Sequence, residues 1–119
     1  MNTTRSKTIS VAKDFSPYPA GRFLDDGKYS GEAFRDNLLV PALKDDGFEL
    51  IRVCLDGVAG VGSSFLEEAF GGLVRKGTFS KEFLANHLAI VTTDDGLRDF
   101  VELAKRYIDD ATPDAETVT

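Results

Sequence analysis

Two short apolar runs stand out in the pattern of hydrophobic and polar positions along the chain. Residues 48–55 are apolar apart from Glu49 and Arg52, and residues 88–91 are wholly apolar. Unbroken apolar runs of this length predict strands in the interior of a sheet, covered on both faces.

Two further strands are predicted nearer the amino terminus. Residues 8–12 alternate apolar with polar positions, as a strand with one covered face does. Residues 22–24 predict a short second strand, which ends at the turn signal Asp25-Asp26-Gly27.

Longer stretches with apolar residues at helical spacing predict the helices. The first helix begins at Ser30, a typical N-cap residue, and should kink or end at Pro41. A long amphipathic helix covers residues 64–76, a short helical turn covers residues 81–86, and the last helix begins at about residue 94. This alternation predicts an α/β domain, a mixed sheet of about four strands with helices packed on it.

Composition fits one such domain and narrows its possible functions. The 119 residues suffice for a single core, and 42% hydrophobic with 29% charged residues is usual for a soluble globular protein. The formal net charge of −6 disfavours binding to nucleic acid or to an anionic membrane. Because no apolar run is long enough to span a bilayer and residues 1–7 do not resemble a signal peptide, we expect a cytoplasmic protein.

Few side chains are available for catalysis or metal binding. With one cysteine, Cys54, and one histidine, His87, the usual zinc site cannot form within one chain. Asp94 and Asp95 are expected to cap the last helix, and no serine lies in a nucleophile-elbow sequence. We therefore expect no catalytic residue, no metal, no cofactor and no enzymatic activity.

The domain is expected to cover residues 8–108. Residues 1–7 are polar and predict a flexible N-terminus. Residues 109–119 are acidic, lack large apolar side chains, and predict a disordered tail.

The helix over residues 64–76 has one strongly apolar side. Six side chains cluster there and are expected to face the sheet: Phe65, Leu66, Ala69, Phe70, Leu73 and Val74. The opposite side carries Ser64, Glu68, Gly71 and Arg75, with Glu67 and Gly72 on its flanks.

Two adjacent glycines inside this helix call for an explanation, because each costs about 1 kcal/mol relative to alanine. If Gly71 and Gly72 are exposed, another protein can approach the backbone closely, and this side is a docking face. The alternative is that Gly72 makes room for a neighbouring element of the same domain.

Ser64 has two interpretations. The run from Ser64 to Glu67 matches a capping box, in which the hydroxyl accepts from the Glu67 amide and the carboxylate reaches back. The other interpretation is phosphorylation, since a phosphate at a helix start meets unpaired amides and the positive end of the helix dipole. Such a phosphate would repel an acidic partner surface and act as a switch.

The order of strand, Asp56-Gly57, loop of small residues, Ser63-Ser64 and glycine-containing helix resembles the STAS signature of anti-sigma-factor antagonists. The chain resembles more closely a bacterial and phage family of STAS-like domains of unknown function, over about residues 8–91. The motifs that carry this second resemblance are Gly21-Arg22, Asp26-Gly27, Ser30-Gly31-Glu32, Phe34-Arg35 and residues 64–70.

The resemblance implies a STAS-like single domain with a regulatory, protein-binding function. Anti-sigma-factor antagonists bind a GHKL-type serine kinase that is also an anti-sigma factor, and the unphosphorylated form releases the sigma factor. Ser64 takes the position of their phosphorylated serine, and Gly71 that of a glycine in the contact helix. A GHKL-type ATPase or kinase is thus the implied partner. The expected partner-binding residues are Ser63, Ser64, Glu67, Glu68, Gly71, Gly72 and Arg75.

A different hypothesis concerns the glycine-rich segment over residues 21–35. Its cations, chiefly Arg22 and Arg35, surround a helix start and could hold an anion. The domain would then be a small-ligand module that binds a nucleotide or phosphorylated metabolite between these arginines and the Ser63-Ser64 helix start. The alternative is structural: a turn at Asp26-Gly27, a cap at Ser30, and ion pairs with Asp25, Asp26 or Asp36.

Overall fold

Three parallel strands form a sheet in the order β1-β2-β3 in the computed structural model, which describes residues 5–114. The strands are Ser6–Ser10 (β1), Leu50–Cys54 (β2) and Leu88–Val91 (β3). Ile9 of β1 lies opposite Val53 of β2, which lies opposite Ile90 of β3. All three side chains are buried and form one row of the core.

Among residues 5–114, four helices pack on this sheet, and two of them contain a wider π-helical turn. Helix α1 covers residues 31–44 and consists of Gly31–Phe34, the wider turn Arg35–Leu39, and Val40–Lys44. Helix α2 covers residues 63–75 and consists of Ser63–Leu66, the wider turn Glu67–Gly71, and Gly72–Arg75. Helix α3 is Lys81–His87, and α4 is Arg98–Asp110. Short helical turns cover Val11–Phe15, Leu24–Asp26 and Asp95–Leu97. Within residues 5–114, no helix has the length and apolar character needed to cross a membrane.

Helix α2 lies at the centre of the core. Its Phe65 and Phe70 are completely buried, and the Phe34 ring of α1 lies 5.9 and 6.3 Å from their rings. Burying a phenylalanine of this kind contributes about 1.5–3 kcal/mol. The prediction that the apolar side of this helix faces inward is confirmed.

The sheet has fewer strands than predicted, and its direction is uniform. The described residues form three strands, all parallel, where about four in a mixed sheet were predicted. Residues 22–24 do not form a strand, because their backbone groups have other partners. The Asp26 carboxylate accepts from the N–H groups of Arg22 and Phe23, and the Arg22 carbonyl accepts from Glu32.

The observed bounds of several elements also differ from the prediction. Strand β1 begins at Ser6 and ends at Ser10, whose hydroxyl caps the next helical turn by accepting from the Lys13 N–H at 3.1 Å. Helix α1 continues through Pro41, directly after the wider turn in which the Val40 N–H bonds the Arg35 carbonyl. Wider turns of this kind are a recognised cause of helix irregularity, as proline is, and here the two coincide.

The predicted tails extend beyond the described range. Helix α4 continues to Asp110, and the Asp114 N–H donates to the Arg75 carbonyl at 2.8 Å. Residues 1–4 and 115–119 lie outside the described residues, so the flexibility and disorder predicted there stay predictions, as do the domain limits of 8 and 108.

Helices α1 and α2 cross at Gly31. A Cβ at this position would lie 2.5 Å from the Phe65 carbonyl oxygen and 3.0 Å from the Glu68 Cβ. Both obstacles belong to the firmly packed helix α2, so they cannot move aside cheaply. The crossing therefore requires a glycine at residue 31.

The crossing can be tested with Gly31→Ala. Overpacking of this kind typically costs about 1–3 kcal/mol, so we expect a lower free energy of unfolding in urea denaturation. Gly60→Ala is the matched control, since a Cβ there meets nothing within 4 Å. Equal stability of the two variants would show that the helices do not cross this closely.

Candidate functional site

The start of α2 lies at the carboxyl edge of the sheet, where parallel α/β proteins often bind their partners or ligands. Gly62 is the N-cap and makes no side-chain cap bond, and Ser63 and Ser64 lie exposed in the first turn. The capping box predicted for Ser64 is therefore wrong. The Glu67 carboxylate does not reach back to the helix start, because it bonds Arg22 and Arg75 instead.

The loop before α2 is held in place by Asp56. Its carboxylate accepts from the Thr92 hydroxyl at 2.5 Å, the Thr93 hydroxyl at 2.6 Å and the Thr93 N–H at 2.8 Å. These bonds hold the pKa of the Asp56 carboxyl well below its usual range, and the bond from Thr92 has the largest effect. The loop that follows β2 is thereby fixed to the loop that follows β3.

A segment from the amino-terminal part of the chain borders the same loop. The Pro17 carbonyl accepts from the Ala59 N–H at 2.8 Å, which places Tyr18 beside the loop, with 72% of its surface exposed. Residues 57–64 contain no charged side chain. The segment that leads into α2 therefore carries no charge of its own, and one large exposed aromatic ring lies beside it.

The rest of the predicted docking face is buried or half-buried. Glu68, Gly71 and Gly72 all lie inside the domain, and Glu67 and Arg75 are half-buried. A Cβ on Gly72 would lie 2.5 Å from Arg35 Nη1. The expectation of an exposed face here is wrong, and the alternative interpretation, that Gly72 makes room for a neighbouring element, is confirmed.

A buried ion pair between α1 and α2 accounts for this burial. The side chains of Arg35 and Glu68 are each 3% exposed, and Arg35 Nη1 lies 2.5 Å from Glu68 Oε2. The same nitrogen donates to the Glu68 carbonyl at 2.9 Å, and Arg35 Nε donates to Asp36 Oδ1 at 2.9 Å. Guanidinium and carboxylate thus satisfy each other in a region with little water.

Three half-buried side chains complete what we call the arginine–glutamate cluster: Arg22, Glu67 and Arg75 join the central pair of Arg35 and Glu68. Arg75 Nη2 lies 2.9 Å and Arg22 Nη1 lies 3.4 Å from Glu68 Oε1. Arg22 and Arg75 each also pair with Glu67. Within residues 5–114, no buried side-chain nitrogen or oxygen lacks a hydrogen-bond partner.

The cluster determines the charge state of its central carboxylate. Burial alone would raise the pKa of the Glu68 carboxyl, but the hydrogen bond from Arg35 and the charges of Arg75 and Arg35 hold it below its ordinary value. Burial would likewise lower the pKa of Arg35, and its bonds to Glu68 and Asp36 raise it instead. Both groups are therefore ionised at neutral pH.

The anion site predicted at Arg22 and Arg35 stays a prediction, but both guanidinium groups already have carboxylate partners. Arg35 is buried against Glu68, and Arg22 is paired with both glutamates of the cluster. The structural alternative is confirmed in part: the Ser30 hydroxyl accepts from the Ala33 N–H at 3.2 Å, and Arg35 pairs with Asp36. Sequence reasoning missed the two glutamate partners.

The remaining candidate residues have structural roles. The Asp94 carboxylate accepts from the Gly96 N–H at 2.8 Å and caps the short turn Asp95–Leu97 before α4, whereas α4 itself begins without the side-chain cap predicted for it. His87 Nδ1 lies 2.7 Å from the Glu49 carbonyl oxygen, where α3 meets β3. Cys54 is half-buried at the end of β2. Among residues 5–114, no three His, Cys, Asp or Glu side chains are grouped to hold a metal ion.

These features define a small α/β module whose distinctive accessible feature is a helix start at the carboxyl edge of the sheet. A family model described as "STAS-like domain of unknown function (DUF4325)" matches residues 30–97, more than half of the chain. The chain belongs to this family of STAS-like domains. No curated protein and no solved structure matches it significantly.

The buried pair can be tested with Arg35→Met. Removing one partner of a buried ion pair typically costs about 3–5 kcal/mol, because the other charge is left without its partner. We expect a loss of that order in the free energy of unfolding, measured by urea denaturation. Asp36→Asn is the control: the Asp36 side chain is 51% exposed, and pairs at the surface contribute about 1 kcal/mol or less. A small loss in both variants would contradict the burial of the pair.

The lowered pKa of Glu68 predicts a dependence of stability on pH. Because the pKa of the folded state lies below the ordinary value of 4.5, the contribution is complete above pH 4.5 and is lost as the pH falls through the folded-state value. We expect the stability difference between the wild-type protein and Glu68→Gln, measured in urea, to shrink below that pH. A constant difference between pH 7 and pH 3 would show that the Glu68 carboxylate is not stabilised in the folded state.

Proposed function

We propose that this chain is a non-enzymatic regulatory module that binds a protein partner over the exposed start of α2, and that the partner is a GHKL-type ATPase or kinase. Membership in the STAS-like family supports a regulatory or interaction function. The choice of partner rests on the resemblance to anti-sigma-factor antagonists. The observation that carries the location is the exposed, uncharged first turn of α2 with Ser63 and Ser64.

The extent of the contact follows from burial. Glu68, Gly71 and Gly72 are inside the domain, so a partner cannot approach α2 along its length. A standard interface buries roughly 800 Å² on each protein, about a ninth of the 6925 Å² of accessible surface here. The first turn of α2 is too small for this, so the contact must extend over the neighbouring residues 17–29.

That neighbouring segment has the apolar side chains such a contact needs. Tyr18, Phe23, Leu24 and Tyr29 are between 40% and 72% exposed. These four residues lie within one segment of the chain, and contiguous exposed apolar patches are typical of interaction surfaces. Phe23 is tied to α2 through Arg22, whose guanidinium lies 5.9 Å from the Phe23 ring and bonds Glu67.

Ser64 is the proposed switch. It lies exposed in the first turn of α2, at the end of a segment, residues 57–64, that carries no charged side chain. A phosphate would add up to about two negative charges there, next to the free amides of the helix start. The partner would then face a charge in place of a neutral hydroxyl, and we expect phosphorylation to release it.

The small-ligand hypothesis has no comparable support. Its two cations, Arg22 and Arg35, are neutralised by Glu67 and Glu68. We therefore do not propose a nucleotide or phosphorylated metabolite as the ligand of this segment.

The location can be tested by affinity purification from a lysate of the native host with ATP present. Wild-type bait should capture an ATPase that is identified by mass spectrometry, and Ser63→Arg should not, because an arginine at this exposed position obstructs the surface. Asn86→Arg is the matched control, an exposed position on α3, and should retain the partner. Capture by Ser63→Arg at the wild-type level would refute the location.

The switch can be tested with the captured partner and ATP. Intact-mass analysis should show a gain of about 80 Da, one phosphoryl group, on the wild-type protein and on Ser63→Ala. The gain should be absent from Ser64→Ala. A gain that persists in Ser64→Ala would place the modification elsewhere.

A further inference from the structure

A groove follows the outer edge of β3, away from the start of α2. It has a volume of about 410 Å³ and lies between α3 and α4, which is within the usual range of roughly 300–1,000 Å³ for binding clefts. Its apolar lining includes Leu84, Leu88, Ile90 and Ile108, and its charged lining includes Lys81 and Lys105.

The floor of the groove offers unpaired backbone groups. The Val91 carbonyl accepts from the Leu55 N–H at 3.0 Å, so the backbone groups of Val91 point toward β2. Successive residues of a strand point their N–H and C=O groups in opposite directions, so those of Ile90 point into the groove. In the described part of the chain β3 pairs with β2 alone, which leaves these groups without a strand partner.

The charges at the rim favour an acidic ligand. Lys81 reaches from α3 to the Asp109 carbonyl at the end of α4, and Lys105 lies 3.6 Å from Glu102 in an exposed pair. Both lysine contacts are at the surface, where a pair contributes about 1 kcal/mol or less, so a ligand carboxylate can replace them. The lining residues Lys81, Lys105 and Asp109 together carry a net charge of +1, with Glu102 outside the lining, in a chain whose net charge is −6.

We infer that this groove binds an extended segment of a partner protein that carries both apolar and acidic side chains, which adds to β3 as a fourth strand. Main-chain bonds to Ile90 would align the segment, its apolar side chains would fill the groove, and its carboxylates would meet Lys81 and Lys105. The four residues of β3 match about 13 Å of extended chain.

A second copy of the chain is a poorer occupant. Two β3 edges that paired with each other would bring Lys81 and Lys105 of both copies into the same groove. The other sheet edge, β1, carries Lys7. Like charges across paired strands are destabilising, so the charge pattern disfavours both arrangements.

The proposal can be tested by NMR titration of the ¹⁵N-labelled full chain with the capped peptide Glu-Val-Thr-Val-Glu. We expect the amide of Ile90 to shift most, together with amides of α3 and α4 that line the groove. Methylation of alternate backbone nitrogens of the peptide removes its strand donors and should weaken binding roughly tenfold or more. The peptide Lys-Val-Thr-Val-Lys should bind more weakly, and the double variant Lys81→Glu/Lys105→Glu should reverse this preference.

Three results would overturn the inference. The first is the absence of shifts along β3 at millimolar peptide, and the second is equal binding of the N-methylated peptide, which would indicate a purely apolar contact. The third is dimerisation of the free chain through β3, detected by sedimentation and by broadening of the Ile90 amide. The wild-type experiments decide the matter even if the double variant fails to fold. None of these outcomes depends on the start of α2, so the proposed regulatory function is tested separately.

Discussion

The ion pair between Arg35 and Glu68 fixes the position of α2, on which the rest of the site depends. Two charges that are 3% exposed each must compensate for their lost hydration through contact with one another. This contact requires Glu68 to point inward, although it stands on the polar side of α2. It also requires Gly72, since any side chain there would meet the Arg35 guanidinium. Gly72 is therefore explained by packing inside the domain.

The same pair decides which part of α2 is accessible. Beyond its first turn the helix is enclosed by α1, by α4 and by the arginine–glutamate cluster, while Ser63 and Ser64 project at the carboxyl edge of the sheet. Asp56 holds the preceding loop in place through Thr92 and Thr93. The proposed partner would therefore meet the start of α2 rather than a helix face. The β3 groove is a separate surface, for which we infer a different ligand chemistry.

Local patterns predicted the buried strands, the apolar side of α2 and the cap at Ser30, because each depends on residues close together in sequence. The strand predicted at residues 22–24 does not form, because the carboxylate of Asp26 binds that backbone, a contact that no hydrophobic pattern reveals.

The docking face along α2 was misplaced for a similar reason. Periodicity separates polar from apolar positions, and a polar side is normally exposed. Arg35 and Glu68 are 33 residues apart, so their pairing could not be recognised from either helix alone. The adjacent pair of glycines was the available signal of close packing, but it fitted contact with another protein as well as contact with an element of the same domain.

A double-mutant cycle on Arg35 and Glu68 tests the position of α2 most directly. The free energy of unfolding would be measured in urea at pH 7 for the wild-type protein, Arg35→Met, Glu68→Met and the double variant. Residues in one buried ion pair should show a coupling energy of about 1–3 kcal/mol, with the double variant less destabilised than the sum of the single variants. Losses that add to within about 0.5 kcal/mol would mean that the two side chains do not meet. Glu68 and the neighbouring glycines would then be free to form an exposed docking face.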